Sequence, residues 1–116
     1  MKSNEYIKGT IKTIVLKLLS DQPRMYGYEI TQKVAELTKD EITLTYGALY
    51  PILYKLENDG LLQSETELVD NRARKYYKLT TSGQQKAAEK ILEFQQFLKN
   101  MERLMRPVPT TNLSYQ

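Results

Sequence analysis

The sequence predicts a mainly α protein with one small β-hairpin. Three observations predict this. Apolar residues recur at helical spacing in four separate segments. Two β-rich runs bracket an Asp-Asn turn. The chain has 116 residues, the length of one domain of about 100–200 residues.

The first helix follows from Ile11, Ile14, Val15, Leu18 and Leu19, which share one face of a 3.6-residue period. Ser20-Asp21-Gln22-Pro23 stops it, because a proline disfavours helical backbone at the residue before it. A second helix is expected over 26–37, with Ile30, Val34 and Leu37 as its buried stripe. Neither Met25 nor Tyr26 is a capping residue type, so its start is poorly marked. Ile42 and Leu44 alternate within 40–45 like a very short strand.

The third helix is expected over 46–58, with Leu49, Ile52, Leu53 and Leu56 inward and Thr45 as N-cap. Pro51 conflicts with it, since an interior proline loses a hydrogen bond and crowds the preceding turn at a cost of about 3 kcal/mol. A loose first turn, or a start near Leu49, would relieve the conflict. Gly60 is placed to end the helix in the left-handed conformation.

The hairpin is expected from strands over 62–68 and 74–80, joined through 69–73. In the second strand Tyr77 and Leu79 point inward, and Arg74, Tyr76 and Lys78 outward. Thr80, Thr81 or Ser82 then caps a last helix that runs to about Arg106, where Pro107 and Pro109 end it. The tail over 107–116 is expected to be disordered.

Composition excludes several function classes. There is no cysteine and no histidine. Disulfides, thiol chemistry, cysteine metal sites and a Ser/His triad are therefore ruled out. No carboxylate pair or phosphate-binding glycine loop stands out, and neither a metal nor a cofactor is expected. The first ten residues are polar and lack the apolar core of a signal peptide. No apolar run approaches a membrane span of 18 or more residues.

The net charge of +3 and the pI of about 9.0 are weak indications of an anionic partner. The placement of charge says more. Residues 71–78 hold Arg72, Arg74, Lys75 and Lys78 and no acid, although Glu65 and Glu67 on the preceding strand argue against a uniformly basic face. Tyrosine is also abundant, with nine Tyr against two Phe and no Trp. Its apolar ring and polar tip suit a half-buried surface.

Three helices followed by a hairpin make the winged helix-turn-helix order, whose third helix can enter a DNA major groove. Its outer face here carries Tyr46, Gly47, Tyr50, Tyr54, Lys55 and Asn58. Tyrosine hydroxyls, lysine and the backbone N–H groups of a helix start are common phosphate contacts. For any one tyrosine, padding of a neighbouring core is an equal alternative. Three on the face opposite Leu49, Leu53 and Leu56 are harder to explain that way. Arg72, Arg74 and Lys75 sit where a wing would touch the DNA backbone or minor groove, the alternative being a basic turn that is merely solvated.

The last helix carries the most regular pattern. Ala87, Ile91, Phe94, Leu98, Met101 and Met105 are spaced 4, 3, 4, 3 and 4, a heptad seam of about 28 Å at 1.5 Å per residue. Phe97 and Leu104 widen it. The seam is expected to meet another subunit through Ile91, Phe94, Leu98, Met101 and Met105. The alternative is packing on the first helix of the same chain.

Three motifs carry a resemblance to a known family. Tyr26-Gly27-Tyr28-Glu29-Ile30 is similar to the opening of helix two in PadR-like transcriptional regulators. Tyr46-Gly47-Ala48-Leu49-Tyr50-Pro51, followed by Leu53, Leu56, Glu57 and Gly60-Leu61, resembles their recognition-helix signature. Arg74-Lys75-Tyr76-Tyr77-Lys78-Leu79-Thr80-Thr81-Ser82-Gly83 resembles their wing and the helix start that follows. The likeness covers about Thr10 to Gly83, plus a C-terminal helix of the expected kind. Ala48 departs from it, since threonine is usual there, and so lacks the hydroxyl that would cap the helix or touch phosphate.

The resemblance implies a homodimeric, cytoplasmic bacterial repressor that binds double-stranded DNA at an inverted repeat. It implies a DNA-binding domain over 1–80 and a dimerisation helix over 81–106 packed on the partner's first and last helices. Its candidate DNA contacts are Tyr28, Tyr46, Gly47, Tyr50, Pro51, Tyr54, Lys55, Arg72, Arg74 and Lys75. A small aromatic effector would have to sit between subunits, near Phe94 and Phe97. The alternatives are a winged-helix protein-interaction module without DNA binding and a small-molecule sensor. An enzyme is the reading with least support.

Overall fold

The computed structural model describes residues 5–109. Its elements are a 3-10 turn (Lys8–Thr10), α1 (Ile11–Asp21), β1 (Met25–Tyr26), α2 (Gly27–Leu37), α3 (Tyr46–Asn58), β2 (Leu62–Val69), β3 (Arg72–Leu79) and α4 (Thr81–Met105). The order is helix, helix, helix, hairpin, long helix. Of the tail expected to be disordered, residues 110–116 lie outside the described residues.

The apolar stripes meet in one core. Val15, Leu16, Ile30, Leu49, Leu53, Leu56 and Tyr77 are almost wholly buried, each such aliphatic side chain contributing roughly 1.5–3 kcal/mol. Leu37 does not join them. It is 66% exposed, because the helix ends there and its side chain lies on the rim of a groove described below.

Two details at the start of α2 were not expected. Met25 and Tyr26 form a short strand antiparallel to β3, with Met25 opposite Tyr77 and Tyr26 opposite Tyr76. The sheet order is therefore β1-β3-β2, and the wing is tied to the first turn of α2. The missing N-cap is replaced from inside the helix, where the Glu29 carboxylate accepts the Tyr26 N–H at 3.1 Å.

The short strand expected at 40–45 does not form. Lys39 and Asp40 both take positive φ, 52° and 64°, and turn the chain sharply out of α2. The Asp40 N–H reaches back to the Ala35 carbonyl at 2.8 Å. The Thr38 hydroxyl accepts the Ile42 N–H at 3.1 Å. Leu44 is still buried, so the alternation marks burial rather than pairing.

α3 begins at Tyr46, not near Leu49. The Thr45 hydroxyl accepts the Ala48 N–H at 3.2 Å, so the cap comes from Thr45 and needs no hydroxyl at residue 48. Pro51 lies within the helix. Its ring is on the exposed side, and what it forfeits is the donor to the Gly47 carbonyl one turn back. At the other end Gly60 has φ 76°. Leu61 N–H bonds the Leu56 carbonyl at 2.9 Å and Gly60 N–H the Glu57 carbonyl at 3.0 Å, a Schellman ending.

The hairpin is longer and its turn tighter than the sequence reading. β2 and β3 pair from Leu62 opposite Leu79 to Val69 opposite Arg72, leaving only Asp70 and Asn71 in the turn. Both are left-handed, φ 52° and 63°, as a two-residue type I′ turn requires and as Asp and Asn tolerate. Tyr77 points inward and is buried. The Thr80 hydroxyl then caps α4 by accepting the Gly83 N–H at 3.0 Å.

Candidate nucleic-acid interface

α3 has two faces of opposite character. Leu49, Leu53 and Leu56 are buried at 0%, 0% and 1% exposure. On the other side Tyr46, Tyr50 and Tyr54 recur every four residues, with successive ring centroids 5.8 and 6.3 Å apart. Tyr46 and Tyr54 are about half exposed. Tyr50 is half-buried, so it is not simply an outward-facing ring. It packs on Gly27 at the start of α2, where a Cβ would come within 2.3 Å of the tyrosine oxygen. Burial, helped by neighbouring Tyr46 and Tyr54, raises the pKa of its hydroxyl. It therefore stays a neutral donor at physiological pH.

Gly47 is different. A Cβ there would meet nothing within 4 Å. The fold does not need the glycine, although glycine inside a helix costs roughly 0.5–1 kcal/mol relative to alanine. What it leaves is bare backbone on an outward face. Lys55 is exposed and leans toward Asp59 at 3.4 Å. Tyr28, 52% exposed, stacks on Tyr26 at 6.3 Å between ring centroids.

The three basic residues of the wing do not form one patch. Side chains alternate along a strand, so Arg72 and Arg74 lie on the outer face and Lys75 on the face toward α3. Lys75 sits 5.5 Å from the Tyr54 ring centroid and 5.4 Å from that of Tyr77, and 3.6 Å from the Glu57 carboxylate. Desolvation pulls its pKa down, but the attraction of Tyr77, Glu57 and Tyr54 outweighs it and leaves the pKa raised. Lys75 thereby joins the tyrosine row of α3 to the wing.

On the outer face the structure adds residues that the sequence reading missed. Arg24 donates to both oxygens of Glu67, at 2.8 and 2.9 Å, and to Glu65 at 2.9 Å. Its guanidinium lies 3.9 Å over the Tyr76 ring. Tyr76 meets Tyr26 edge-on at 5.3 Å, and Arg74 covers Tyr26 at 4.8 Å. The hydrogen bond from Arg24 holds the Glu67 carboxyl below the usual carboxylate range. The two acids that seemed to spoil the basic face are thus already paired. Their partner is 41 and 43 residues away, and no local pattern announces it.

The heptad seam of α4 divides in two. Ala87 is 1% exposed, and Ile91 packs against the core, both on the α1 side of the same chain. Further along, Leu98 is 50% and Met105 74% exposed. Between α4, the start of α1 and the end of α2 runs an apolar groove of about 990 Å³, lined among others by Leu37, Ile42, Phe94, Phe97, Leu98 and Met101. The rings of Phe94 and Phe97 are 6.0 Å apart. Among the described residues no His/Cys/Asp/Glu group could hold a metal. No helix among them is long and apolar enough to cross a membrane.

A helix-turn-helix joined to a two-stranded wing, with a hydroxyl-bearing face on its second helix, is a winged helix of the DNA-binding kind. The family model of the PadR-like transcriptional regulators matches residues 15–89, and the chain belongs to that family. It is 37% identical over 79 residues to the transcriptional regulator Rv3488 of Mycobacterium tuberculosis, covering 68% of this chain and 70% of the relative. A transcriptional regulator from Clostridium thermocellum superposes with a TM-score of 0.79 at 26% identity, over 91% of this chain and all of the other. A PadR family regulator from Eggerthella lenta gives 0.74 at 28% identity, over 90% and 88%. The motifs around Gly27, Tyr46–Pro51 and Arg74–Gly83 all fall within the matched span. The family is one of regulators rather than enzymes.

Proposed function

We propose that the protein is a homodimeric repressor in which α3 enters the major groove and the β2–β3 wing follows the backbone into the adjacent minor groove. The observation that carries this reading is the two-faced α3: a fully buried leucine stripe, and opposite it a row of tyrosines that continues through Lys75 into the wing. In this reading residues 1–80 hold the DNA. Tyr28, Tyr46, Tyr50, Tyr54, Lys55 and the backbone at Gly47 contact the duplex, with Pro51 on the same face and Arg72 and Arg74 on phosphates. The second half of α4, together with the groove beside it, meets a second copy. A two-fold dimer would then read an inverted repeat with half-sites about one helical turn apart.

A small flat aromatic compound between the subunits would meet the rings of Phe94 and Phe97, 6.0 Å apart, in that apolar groove. The test of DNA binding is a mobility shift on mixed-sequence duplex in low salt, where even non-specific binding registers. A shift that vanishes as salt rises is expected. No shift at any salt would leave the protein-interaction reading in its place.

A further inference from the structure

Glu67 lies directly opposite Arg74 in the β2–β3 register. Cross-strand partners on one face stand about 4.5–5.5 Å apart at Cβ, and opposite charges there normally pair. They do not pair here. Among the described residues Arg74 forms no ion pair: its guanidinium lies over the Tyr26 ring and meets the Tyr76 side chain, and Asp70 at the turn attracts it without pairing. Both oxygens of Glu67 are taken by Arg24, which also holds Glu65. Arg24 comes from the segment between α1 and β1, so it crosses the whole sheet, over β3 and Tyr76, to reach the acids on β2.

We propose that Arg24 is a positioning residue for DNA binding: by occupying the two carboxylates of β2 it keeps Glu67 from capturing Arg74, and so leaves Arg74 without an ion-pair partner and open to phosphate. The chemistry is competitive. A planar guanidinium that donates in parallel to both oxygens of one carboxylate is a stronger partner than a single cross-strand contact. Without it the nearest cation to Glu67 is Arg74. The wing would then present an internally neutralised pair, with Glu65 unpaired beside it, to a polyanion. The face of Tyr76 sets the height at which Arg24 crosses β3, which aligns it with both acids.

This inference rests on the DNA-binding reading above, and the experiment separates the two. Wild type, Arg24→Ala, Glu65→Gln/Glu67→Gln and the triple variant are titrated with mixed-sequence duplex in low salt, after thermal melts show that each is folded. Arg24→Ala should weaken binding about tenfold, as a misplaced interfacial charge does. The triple variant should return to within about twofold of wild type, because neither Glu65 nor Glu67 remains to capture Arg74 and Asp70, which already attracts Arg74 in the wild type, is unchanged. If the triple variant stays as weak as Arg24→Ala, Arg24 itself contacts DNA and the inference is wrong. Unchanged binding in Arg24→Ala also overturns it.

The second readout needs no DNA. The Glu67 carboxyl is titrated by NMR in Arg24→Ala and in Arg24→Ala/Arg74→Ala. Its depressed pKa should persist in the first, held by Arg74, and return to the ordinary carboxylate range in the second. A return already in the first variant would show that Arg74 does not move in, and would overturn the inference whatever the duplex titration gives. If wild type binds no duplex while the NMR result holds, the DNA-binding reading fails and the competition for Glu67 stands.

Discussion

The Tyr50 hydroxyl fills the space in which a side chain on residue 27 would begin. A Cβ built on Gly27 lies 2.3 Å from the tyrosine oxygen and 2.9 Å from Cζ. Gly27 opens α2 and Tyr50 lies in the middle of α3, so this contact sets how closely the two helices of the helix-turn-helix approach. Gly27 has no positive φ. The ring, not the backbone conformation, demands the glycine. Gly27→Ala should therefore push Tyr50 outward and cost about 1–3 kcal/mol of stability in urea unfolding, as overpacking does. The Gly27→Ala/Tyr50→Ala double variant should be no less stable than Tyr50→Ala alone. Additive costs would show that the ring is not what excludes the methyl group.

Gly83 carries a stricter constraint. A Cβ there would stand 1.9 Å from the Leu61 carbonyl oxygen. That oxygen cannot retreat cheaply, because it accepts the Thr80 N–H at 3.0 Å. Gly83→Ala must part α4 from the turn after α3 and should cost at least about 3 kcal/mol, the upper end of overpacking. A thermal melt unchanged from wild type would refute the contact. Gly47→Ala is the matched control, since its Cβ meets nothing. It should stabilise the free protein slightly through helix propensity.

How far the sequence could be read follows from how local each feature is. The helix stripes apart from Leu37, the Thr45 cap and the Gly60 ending depend on residues within a turn or two and were legible, while the α4 cap was narrowed only to Thr80, Thr81 or Ser82. The β1 strand was not, because two residues carry no periodicity and Met25 and Tyr26 pair with partners some 50 residues on. The strand expected around Ile42 failed for the opposite reason: its alternation reports burial, and the sheet among the described residues, β1-β3-β2, does not extend to it. In the site, the tyrosine row could be read from spacing. The depth of Tyr50 could not, since it depends on Gly27 across the helix pair, and neither could Arg24 on Glu65 and Glu67. The α4 seam was legible as a stripe, but a stripe does not say which stretch of it meets its own chain.

The wing residues should differ in what they do to salt dependence. Arg72 and Arg74 lie on the outer face and form no ion pair among the described residues, whereas Lys75 is shared between Glu57 and two tyrosine rings. Arg72→Ala and Arg74→Ala should each weaken binding almost equally on every sequence. Each should lower the slope of log K against log salt by about 0.9 per lost phosphate contact. Lys75→Ala should change the slope less, because its charge is already partly answered. Equal slopes in all three variants and wild type would make the wing a solvated turn.

The two faces of α3 should separate stability from affinity. Leu53 is fully buried, so Leu53→Ala should cost about 2–5 kcal/mol and lower affinity only through unfolding. Tyr54 is 53% exposed and is a better probe than the partly packed Tyr50. Tyr54→Ala should cost no more than about 1 kcal/mol and still lower duplex affinity under conditions where the protein is fully folded. Circular dichroism melts run beside anisotropy titrations give both quantities. Full affinity in Tyr54→Ala would mean that this face does not meet DNA.

The last test concerns assembly and follows from the division of the α4 seam. Ala87 is buried against its own chain, while Leu98 is half exposed and Met105 largely exposed further along the same stripe. A lysine on the buried half would put a charge into the monomer's core without a partner, which a fold of this size cannot absorb. A lysine pair on the exposed half would leave the monomer intact and place like charges across any two-fold interface there. Ala87→Lys should therefore unfold the protein. Leu98→Lys/Met105→Lys should keep the helical spectrum and thermal melt of a folded monomer, but sediment at half the wild-type mass. Its duplex affinity should fall steeply, because a dimer binds two half-sites and a monomer only one. If the double variant sediments as wild type does, the second copy docks elsewhere, and the exposed seam and its groove must serve some other contact.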